Sequence, residues 1–193
     1  MISIHPTALV ASKAIGEGTR IWAFVNILAG ARIGRDCNIC DRCFVENDVV
    51  VGDRVTVKCG VSLYDGLVLE DGVFVGPDVT IANDTRPRSG RYPAEYPRTH
   101  VREGASLGAG AILLPGVTVG RFALVGAGAL VTRDVPDFAL TYGSPARVHG
   151  HVCRCTETLR FGRGRASEKV AAEAACACGR RYVRDAAGAI SEA

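Results

Sequence analysis

The sequence repeats itself every six residues, and this period restricts the fold more than any other feature of the chain. Counted in sixes, every position carries Leu, Ile or Val: Leu9, Ile15, Ile21, Ile27, Ile33, Ile39, Val45, Val51, Val57, Leu63, Leu69, Val75 and Ile81. After a phase shift of two, the pattern resumes at Val101, Leu107, Leu113, Val119, Val125 and Val131. A helix needs a period of about 3.6 and a half-buried strand a period of about 2, so neither explains six.

The residues beside these anchors follow the same period. Glycine directly follows many anchors, and a small or β-branched residue stands four places after most of them. Each unit is therefore predicted to be a short strand with an inward anchor, a smaller inward residue, and glycine giving backbone freedom at the turn. Three units close a triangular coil, and coils stack about 4.8 Å apart. The sequence predicts an all-β parallel solenoid.

The repeat is interrupted once, between Ile81 and Val101. The intervening segment holds three prolines, two tyrosines and four arginines, and it carries no anchor. Solenoids tolerate insertions at their corners, so an external loop is expected over about residues 84–100. A solvated excursion is the alternative to a functional loop. Arg86 and Arg88 favour function, because a guanidinium binds phosphate through paired hydrogen bonds.

Three polar residues are spaced by one coil each. Asn47, Asp65 and Asn83 lie eighteen residues apart, so they are predicted to form a polar column at one corner, with Asn83 at the root of the loop. Such a column offers partners for sugar hydroxyls and an amino group. The alternative is that Asn and Asp simply cap the turns.

The repeats over about residues 9–135 resemble those of the hexapeptide-repeat acyltransferases, a resemblance that implies left-handed coils. The stretches 57–66, 75–80 and 83–88 resemble the N-acetyltransferases of nucleotide-linked 3-amino sugars. The UDP-2-acetamido-3-amino-2,3-dideoxy-glucuronate N-acetyltransferase group of bacterial surface polysaccharide synthesis is the most similar. This resemblance implies that the residue matching Asn83 contacts the sugar amine and that no histidine acts as base.

The predicted reaction asks little of the protein. A free amine is a nucleophile and a thioester is activated, so the enzyme mainly aligns them and stabilises the oxyanion. We assign Asn83 to amine orientation, Asp84 to an auxiliary base, and Tyr64 to the substrate-binding group with Asn47, Asp65, Arg86 and Arg88. A sugar O-acetyltransferase is the alternative, because a hydroxyl acceptor needs a base and His100 is the one histidine well placed for it. A non-catalytic β-helix assembly module is a further alternative, whereas a metal enzyme resembling γ-type carbonic anhydrases lacks the necessary histidines.

The end of the repeats indicates a coenzyme site. Gly143 to Arg147 resembles the closing motif found near bound coenzyme A in the family, where the coenzyme lies between subunits of a trimer. Ala109 and Ala127 are eighteen residues apart and leave room for a pantetheine arm, and Arg147 is suited to a coenzyme phosphate. Ordinary corner packing is the alternative for the alanines. The expected cosubstrate is acetyl-CoA and the expected assembly a homotrimer.

The cysteines fall into two groups. Cys37 and Cys43 take the smaller inward position and are predicted to be core. The tail contains two close pairs, which predict a structural zinc site: Cys153, Cys155, Cys176 and Cys178. A loosely ordered tail with incidental thiols is the alternative. The Ala-rich run 167–175 has helical propensity.

Composition bounds the remaining possibilities. The net charge of +3 lies in the last 43 residues, which carry 8 Lys and Arg against 5 Asp and Glu, and it is too small to favour nucleic acid. No apolar run is long enough to span a membrane, and the first residues lack a signal-peptide pattern, so a cytoplasmic protein without membrane insertion is expected. We divide the chain into a β-helix of residues 1–150 and a basic tail of residues 151–193.

Overall fold

The computed structural model describes residues 1–161 and 172–193, and within these ranges no residue is helical. Twenty two- and three-residue strands form the repeats: β1 (Ser3–Ile4), β2 (Leu9–Val10), β3 (Ala14–Ile15), β4 (Arg20–Ile21), β5 (Asn26–Ile27), β6 (Arg32–Ile33), β7 (Asn38–Ile39), β8 (Phe44–Val45), β9 (Val50–Val51), β10 (Thr56–Val57), β11 (Ser62–Leu63), β12 (Leu67–Leu69), β13 (Phe74–Val75), β14 (Thr80–Ile81), β15 (Thr99–Val101), β16 (Ser106–Leu107), β17 (Ile112–Leu113), β18 (Thr118–Val119), β19 (Leu124–Val125) and β20 (Leu130–Val131).

Each coil gives one strand to each of three parallel faces. Face A joins β1, β4, β7, β10, β13, β16 and β19; face B joins β2, β5, β8, β11, β14, β17 and β20; face C joins β3, β6, β9, β12, β15 and β18. Partners lie eighteen residues apart in the regular coils, as Ser62 and Thr80 do. The chain is thus a left-handed parallel β-helix of about 8 turns, and the predicted fold class is confirmed.

The interior is a continuous column of branched side chains. Every anchor from Ile21 to Val131 is at most 3% exposed. The smaller inward positions are buried as well, including Cys37 and Cys43 at 1% each, which confirms their assignment to the core. The Cys43 thiol donates a hydrogen bond to the Lys58 carbonyl oxygen at 3.2 Å, and burial raises its pKa to about 12.

The first coil departs from the predicted phase. Leu9 is 69% exposed, whereas Val10 packs against the core and pairs with Ile27. The corner after Val10 is one residue shorter than the others, so counting back in sixes selects the wrong residue. Ser12 fills the shortened corner, and its hydroxyl donates to the Ala31 carbonyl oxygen at 2.6 Å.

The glycines that follow the anchors do not serve the purpose predicted for them. Gly34 does not have a positive φ; instead, a Cβ placed there would lie 2.5 Å from the carbonyl carbon and oxygen of Gly52 in the next coil. These glycines allow close contact between coils. The left-handed turn conformation occurs at other residues, such as Gly66 with φ of 87°.

The insertion leaves the coil register intact. Val68 on face C pairs with His100, so residues 82–98, between β14 and β15, leave and rejoin the coil at the corner between faces B and C. Coils above and below the insertion continue without a gap, since Thr80 pairs with Ile112 on face B.

The last coil is closed by a hairpin. Strand β21 (Ala139–Gly143) follows β19 on face A and turns back into β22 (Ala146–Val152), which pairs with β23 (Thr158–Leu159). Strand β22 runs through residue 150, where we divided the chain. The division into two domains stays an interpretation.

The tail forms a small antiparallel sheet of β24 (Ala172–Ala175), β25 (Arg181–Arg184) and β26 (Ile190–Glu192). The predicted helical propensity of 167–175 is wrong for Ala172–Ala175, because these residues pair with Arg181–Arg184; residues 167–171 lie outside the described residues. Tyr182 is fully buried and lies edge-to-face against Phe138, with ring centroids 5.4 Å apart. The described part of the chain contains no helix that is long and apolar enough to cross a membrane.

Because neighbouring coils are in close contact at Gly34, adding one methyl group there should destabilise the fold. Gly34→Ala should lower the free energy of unfolding by about 1–3 kcal/mol, the usual cost of overpacking, because backbone atoms of Gly52 occupy the space. Gly150→Ala is the matched control, since a Cβ there meets nothing within 4 Å. Urea unfolding curves of both variants test this, and equal midpoints would contradict it.

The raised pKa of Cys43 predicts an alkaline loss of stability. The thiol has its usual pKa of 9.0 in the unfolded chain, whereas burial raises its pKa to about 12 in the folded chain. Stability from this group is therefore complete below pH 9 and falls above it, by at most about 1.4 kcal/mol per pH unit. Cys43→Val fits a column that holds Val25 and Val61, and it should flatten that decline. Urea unfolding of both proteins between pH 8 and 11 measures the difference; parallel declines would disprove the assignment.

Candidate active site

The three polar residues of the predicted column do lie at one corner, between faces B and C. The Asn47 side-chain oxygen accepts from the Gly30 backbone N–H at 3.0 Å, and the Asp65 carboxylate accepts from the Asp48 N–H at 2.6 Å. Both side chains therefore cap turns of neighbouring coils. This contact accounts for their residue type without a ligand, so their part in substrate binding stays a prediction.

Asn83 is oriented differently. Its side-chain nitrogen donates to the backbone carbonyl oxygen of Asp65 at 3.4 Å. Because a carbonyl can only accept, the amide nitrogen must face Asp65, and the amide oxygen is directed away from it. Asn83 is half-buried, so the corner presents a fixed acceptor oxygen where the insertion begins.

The outgoing arm of the loop carries the other predicted residues. Asp84 is half-buried, and one of its oxygens accepts from the Arg86 backbone N–H at 2.8 Å. Arg86 and Arg88 are exposed, and neither takes part in an ion pair with the rest of the described chain. Both guanidinium groups are available to an anionic ligand.

The returning arm is held to the coils by residues that the sequence analysis did not select. Arg98 forms an ion pair with Asp48 at 2.9 Å. Tyr96 and Pro97 lie over Gly66, where a Cβ would come within 3.2 Å of the Pro97 oxygen. Arg98 is the last arginine of the insertion, but the loop path that brings it to Asp48 is not readable from the sequence.

Two depressions flank this corner. One, of about 690 Å³, lies under the returning arm and is lined by carboxylates and by the loop itself: Asp48, Asp65, Ala94, Glu95, Tyr96, Pro97 and Arg98. The other, of about 260 Å³, runs along face B from Gly60 and Asp78 to Tyr64. Tyr64 is exposed and its ring meets that of Phe44 edge-on at 6.3 Å.

His100 belongs to a strand. It pairs with Val68 and Thr118 in face C, and the neighbouring Thr99 and Val101 are buried. Because side chains alternate along a strand, the imidazole lies on the outer surface of face C. Asn83 lies on the adjoining corner, so the two residues are held by different parts of the coil.

The predicted coenzyme residues lie at the corner between faces A and B. The Ala109 carbonyl accepts from the Gly128 N–H at 2.9 Å, so Ala109 and Ala127 stand at successive coils, and both are exposed. Val125 pairs with Thr141, and the strand then continues to Gly143. Arg147 belongs to the returning strand β22, where it pairs with Tyr142 of β21, and it is exposed. Ala109, Ala127 and Arg147 therefore lie along the corner between faces A and B, at the C-terminal end of the solenoid.

In a single chain, the predicted acceptor and coenzyme groups are not brought together. Asn83 and the column below it lie at one edge of face B, whereas Ala109, Ala127 and Arg147 lie towards the other. The depression beside Tyr64 runs along face B between the two corners.

The tail cysteines form a compact cluster. The sulfur atoms of Cys153, Cys155, Cys176 and Cys178 all lie within 4.8 Å of one another, and all four residues are free thiols. Hydrogen bonds from the Arg180 backbone and guanidinium lower the pKa of Cys178 to about 6. The predicted set is thus assembled, while metal binding itself stays a prediction.

Comparison with known proteins identifies the class. No protein-family model matches the chain. It is 51% identical over 179 residues to the dTDP-3-amino-3,6-dideoxy-α-D-galactopyranose 3-N-acetyltransferase of Aneurinibacillus thermoaerophilus, covering 93% of this chain and 89% of that protein. The chain therefore belongs to the nucleotide-sugar N-acetyltransferases, and it is an acetyl-CoA-dependent N-acetyltransferase.

More distant similarities share the repeat. The bifunctional protein GlmU of Alkalilimnicola ehrlichii is 31% identical over 172 residues; the match covers 77% of this chain and about a third of GlmU, 34%. The hexapeptide-repeat acetyltransferase of Vibrio cholerae, solved with acetyl coenzyme A, superposes with a TM-score of 0.53 at 20% identity, covering 71% of this chain and 69% of that one. This superposition supports the fold.

The anchoring of the returning arm gives a test. Asp48→Ala removes the partner of Arg98, an exposed ion pair worth about 0.2–1 kcal/mol, so the loop should open roughly 1.4 to 5 times more often. Trypsin cleavage after Arg88 or Arg91, read by mass spectrometry, should accelerate by that factor. Glu103→Ala breaks the exposed pair with Arg121 elsewhere and should leave loop cleavage unchanged. Equal rates in both variants would show that the pair does not hold the loop.

Proposed function

We propose that this enzyme transfers the acetyl group of acetyl-CoA directly to the amine of a nucleotide-linked 3-amino sugar. The observation that carries the proposal is the orientation of Asn83, whose amide oxygen accepts no hydrogen bond from the described residues at the root of the insertion. An amine donates hydrogen bonds to such an oxygen and keeps its lone pair for attack. The 3-amino sugar named for the 51% identical relative supports the same acceptor class.

The acceptor binds at the corner between faces B and C. Carboxylates of Asp48, Asp65 and Glu95 line the depression under the returning arm, which favours a cationic amino sugar on approach. Tyr64 offers its ring and hydroxyl to the sugar from face B, and Asn47 extends the polar column below it.

The reaction needs no covalent enzyme intermediate. The ammonium form of the amino sugar first loses a proton to solvent. The lone pair of the neutral amine then attacks the thioester carbonyl carbon, and the C–S bond breaks as the tetrahedral oxyanion collapses. The departing thiolate, or Asp84 as auxiliary base, takes the proton that the nitrogen loses. The products are the N-acetyl sugar and coenzyme A. Alignment by Asn83 and oxyanion stabilisation by backbone N–H groups supply the catalysis.

The nucleotide end is held by the outgoing arm. Arg86 and Arg88 are exposed and available, and guanidinium groups bind phosphate oxygens in pairs. A UDP-linked uronate is the narrower acceptor that the sequence analysis predicts. The relative at 51% identity is named for a dTDP-linked 3,6-dideoxy sugar, which makes both nucleotides and both sugars members of the test panel.

Acetyl-CoA lies along the corner between faces A and B, with its pantetheine arm beside Ala109 and Ala127 and a phosphate at Arg147. The acceptor groups lie at the other edge of face B. A homotrimer in which one subunit supplies the acceptor corner and its neighbour the coenzyme corner closes this gap. We place the enzyme in the cytoplasm, in bacterial surface polysaccharide synthesis, where acetyl-CoA and nucleotide sugars are both available.

Two alternatives remain distinguishable. A sugar O-acetyltransferase would use His100 as base, but His100 lies on face C while Asn83 lies on the corner. A non-catalytic assembly module is not supported, because the chain belongs to an acetyltransferase family.

Replacing Asn83 provides the deciding experiment. Asn83→Ala should lower kcat/KM for a 3-amino sugar by about ten- to a hundred-fold, the effect of losing a hydrogen bond worth roughly 1.5–3 kcal/mol. Thiol release from acetyl-CoA is followed with UDP- and dTDP-linked 3-amino sugars, including a uronate and a 6-deoxy sugar. His100→Ala is the control and should retain most activity.

The other outcomes separate the parts of the proposal. Turnover that depends on His100 and survives Asn83→Ala would move the chemistry to a histidine base. No turnover on the panel, with coenzyme A still bound, would reject the acceptor class alone. Thermal midpoints of both variants show whether a lost activity is a lost fold.

A further inference from the structure

The four tail cysteines come from two turns that are built in the same way. One turn lies between β22 and β23 and holds Cys153 and Cys155; the other lies between β24 and β25 and holds Cys176 and Cys178. In each, the first cysteine donates its N–H to the carbonyl four residues on, at 2.8 Å from Cys153 to Glu157 and 2.9 Å from Cys176 to Arg180.

The match between the two turns extends to the backbone conformation. The residue after each second cysteine has a positive φ, 75° at Thr156 and 91° at Gly179. These two residues also make the same hydrogen bond. The Thr156 N–H donates to the Cys153 carbonyl oxygen at 2.8 Å, and the Gly179 N–H donates to the Cys176 carbonyl oxygen at 2.9 Å. Two equivalent turns that face one another present four thiols from two directions.

A backbone N–H group is directed at one of the sulfur atoms. The Cys155 N–H donates to the Cys153 sulfur at 3.5 Å. This hydrogen bond stabilises negative charge on the Cys153 sulfur.

Two side chains complete the surroundings of the cluster. The buried Tyr182 hydroxyl accepts from the Arg154 N–H at 3.1 Å, which leaves its own hydrogen to donate to the Cys153 sulfur at 3.1 Å. The Arg180 guanidinium donates to the Cys178 sulfur at 3.3 Å. Donors surround the sulfurs on several sides, as the outer partners of a metal–thiolate centre do.

The spacing of the sulfurs fits one ion. The pairs Cys153–Cys178 and Cys155–Cys176 are both 3.5 Å apart, far beyond the roughly 2.05 Å of a disulfide. A tetrahedral ion with bonds of about 2.3 Å holds its sulfurs roughly 3.8 Å apart. We propose that these four cysteines bind one Zn²⁺ as a closed, structural tetrathiolate site.

The site joins the tail to the end of the solenoid. Cys153 directly follows β22, the strand that also carries Arg147, whereas Cys176 and Cys178 belong to the tail sheet. Tyr182 packs on Phe138, which stacks on Phe122 of the last full coil at 5.4 Å. The ion therefore cross-links two segments that also share this small aromatic cluster and an ion pair of Arg154 with Glu192 at 3.0 Å. Four protein ligands leave no position for substrate, so the ion takes no part in acetyl transfer.

Metal analysis of the full-length protein tests the proposal without an activity assay. Protein prepared without chelator should contain one zinc per chain, as measured by inductively coupled plasma mass spectrometry. Cobalt added to the apoprotein should give the strong visible and near-ultraviolet absorption of tetrahedral cobalt–thiolate. The double variant Cys155→Ser/Cys178→Ser alters the two exposed ligands and should hold less than about a tenth of the zinc.

Cys59→Ser is the matched control, because Cys59 is a partly exposed thiol outside the cluster, and it should keep the full zinc content. Iron in place of zinc, or equal zinc in the double variant and the wild type, would overturn the assignment. So would an apoprotein that takes up no cobalt while its circular dichroism shows an intact fold. Because no arm measures acetyl transfer, a wrong acceptor in the proposed function does not affect the result.

Discussion

The solenoid depends on the hydrogen bonds that each coil makes to the next. The Arg32 N–H bonds the Val49 carbonyl at 3.0 Å and the Gly34 N–H bonds that of Val51 at 2.8 Å, and this ladder continues along all three faces. Two-residue strands have no stability alone, so the ladder holds only if successive coils keep one register. Where the coil length changes, at the first corner, at the insertion and at the closing hairpin, the change is absorbed in a corner and the strands stay paired.

This constraint decides where function can lie. The inward strand positions are filled by the anchors, and the outward strand positions recur in much the same way from coil to coil. The residues that differ between coils, including the candidate site residues, therefore lie at the corners. The insertion leaves from the corner that already holds Asn47 and Asp65, and the ladder continues past it from Thr80 to Ile112. Asn83 is therefore the last corner residue before the chain departs, and it is oriented by a backbone carbonyl whose position the ladder fixes.

The sequence was sufficient for the fold and for the grouping of residues, and insufficient for the contacts within each group. Anchors every six residues predict the core, and the eighteen-residue spacing predicts the Asn47, Asp65 and Asn83 column. The Leu9 error arose because a corner shortened by one residue leaves the hydrophobic pattern almost unchanged, since Leu9 and Val10 are both apolar. Glycine was misread because the same residue type serves either a turn or a close contact, and only the neighbouring coil distinguishes them.

Long-range partners account for the other differences. The ion pair of Arg98 with Asp48 spans fifty residues, and Tyr182 reaches Cys153 across twenty-nine, so neither contact leaves a local pattern. In the tail, the alanines of Ala172–Ala175 favour a helix by intrinsic propensity, yet pairing with Arg181–Arg184 makes them a strand, because tertiary contacts outweigh propensities of a few tenths of a kcal/mol.

In the proposed reaction, the placement of the two candidate corners determines what limits catalysis. An amine and a thioester react once their atoms are within about 3–3.5 Å, and alignment of this kind contributes most of the rate when both partners are already reactive. Asn83 and the alanine column lie at opposite edges of face B, so their relative position is set by face B in one chain and by subunit packing in an assembly. A rigid solenoid suits both cases, since neither edge can move without breaking the ladder. In the proposed arrangement, the same rigidity lets a site with few catalytic side chains align its substrates, because the corners fix the distance between donor and acceptor.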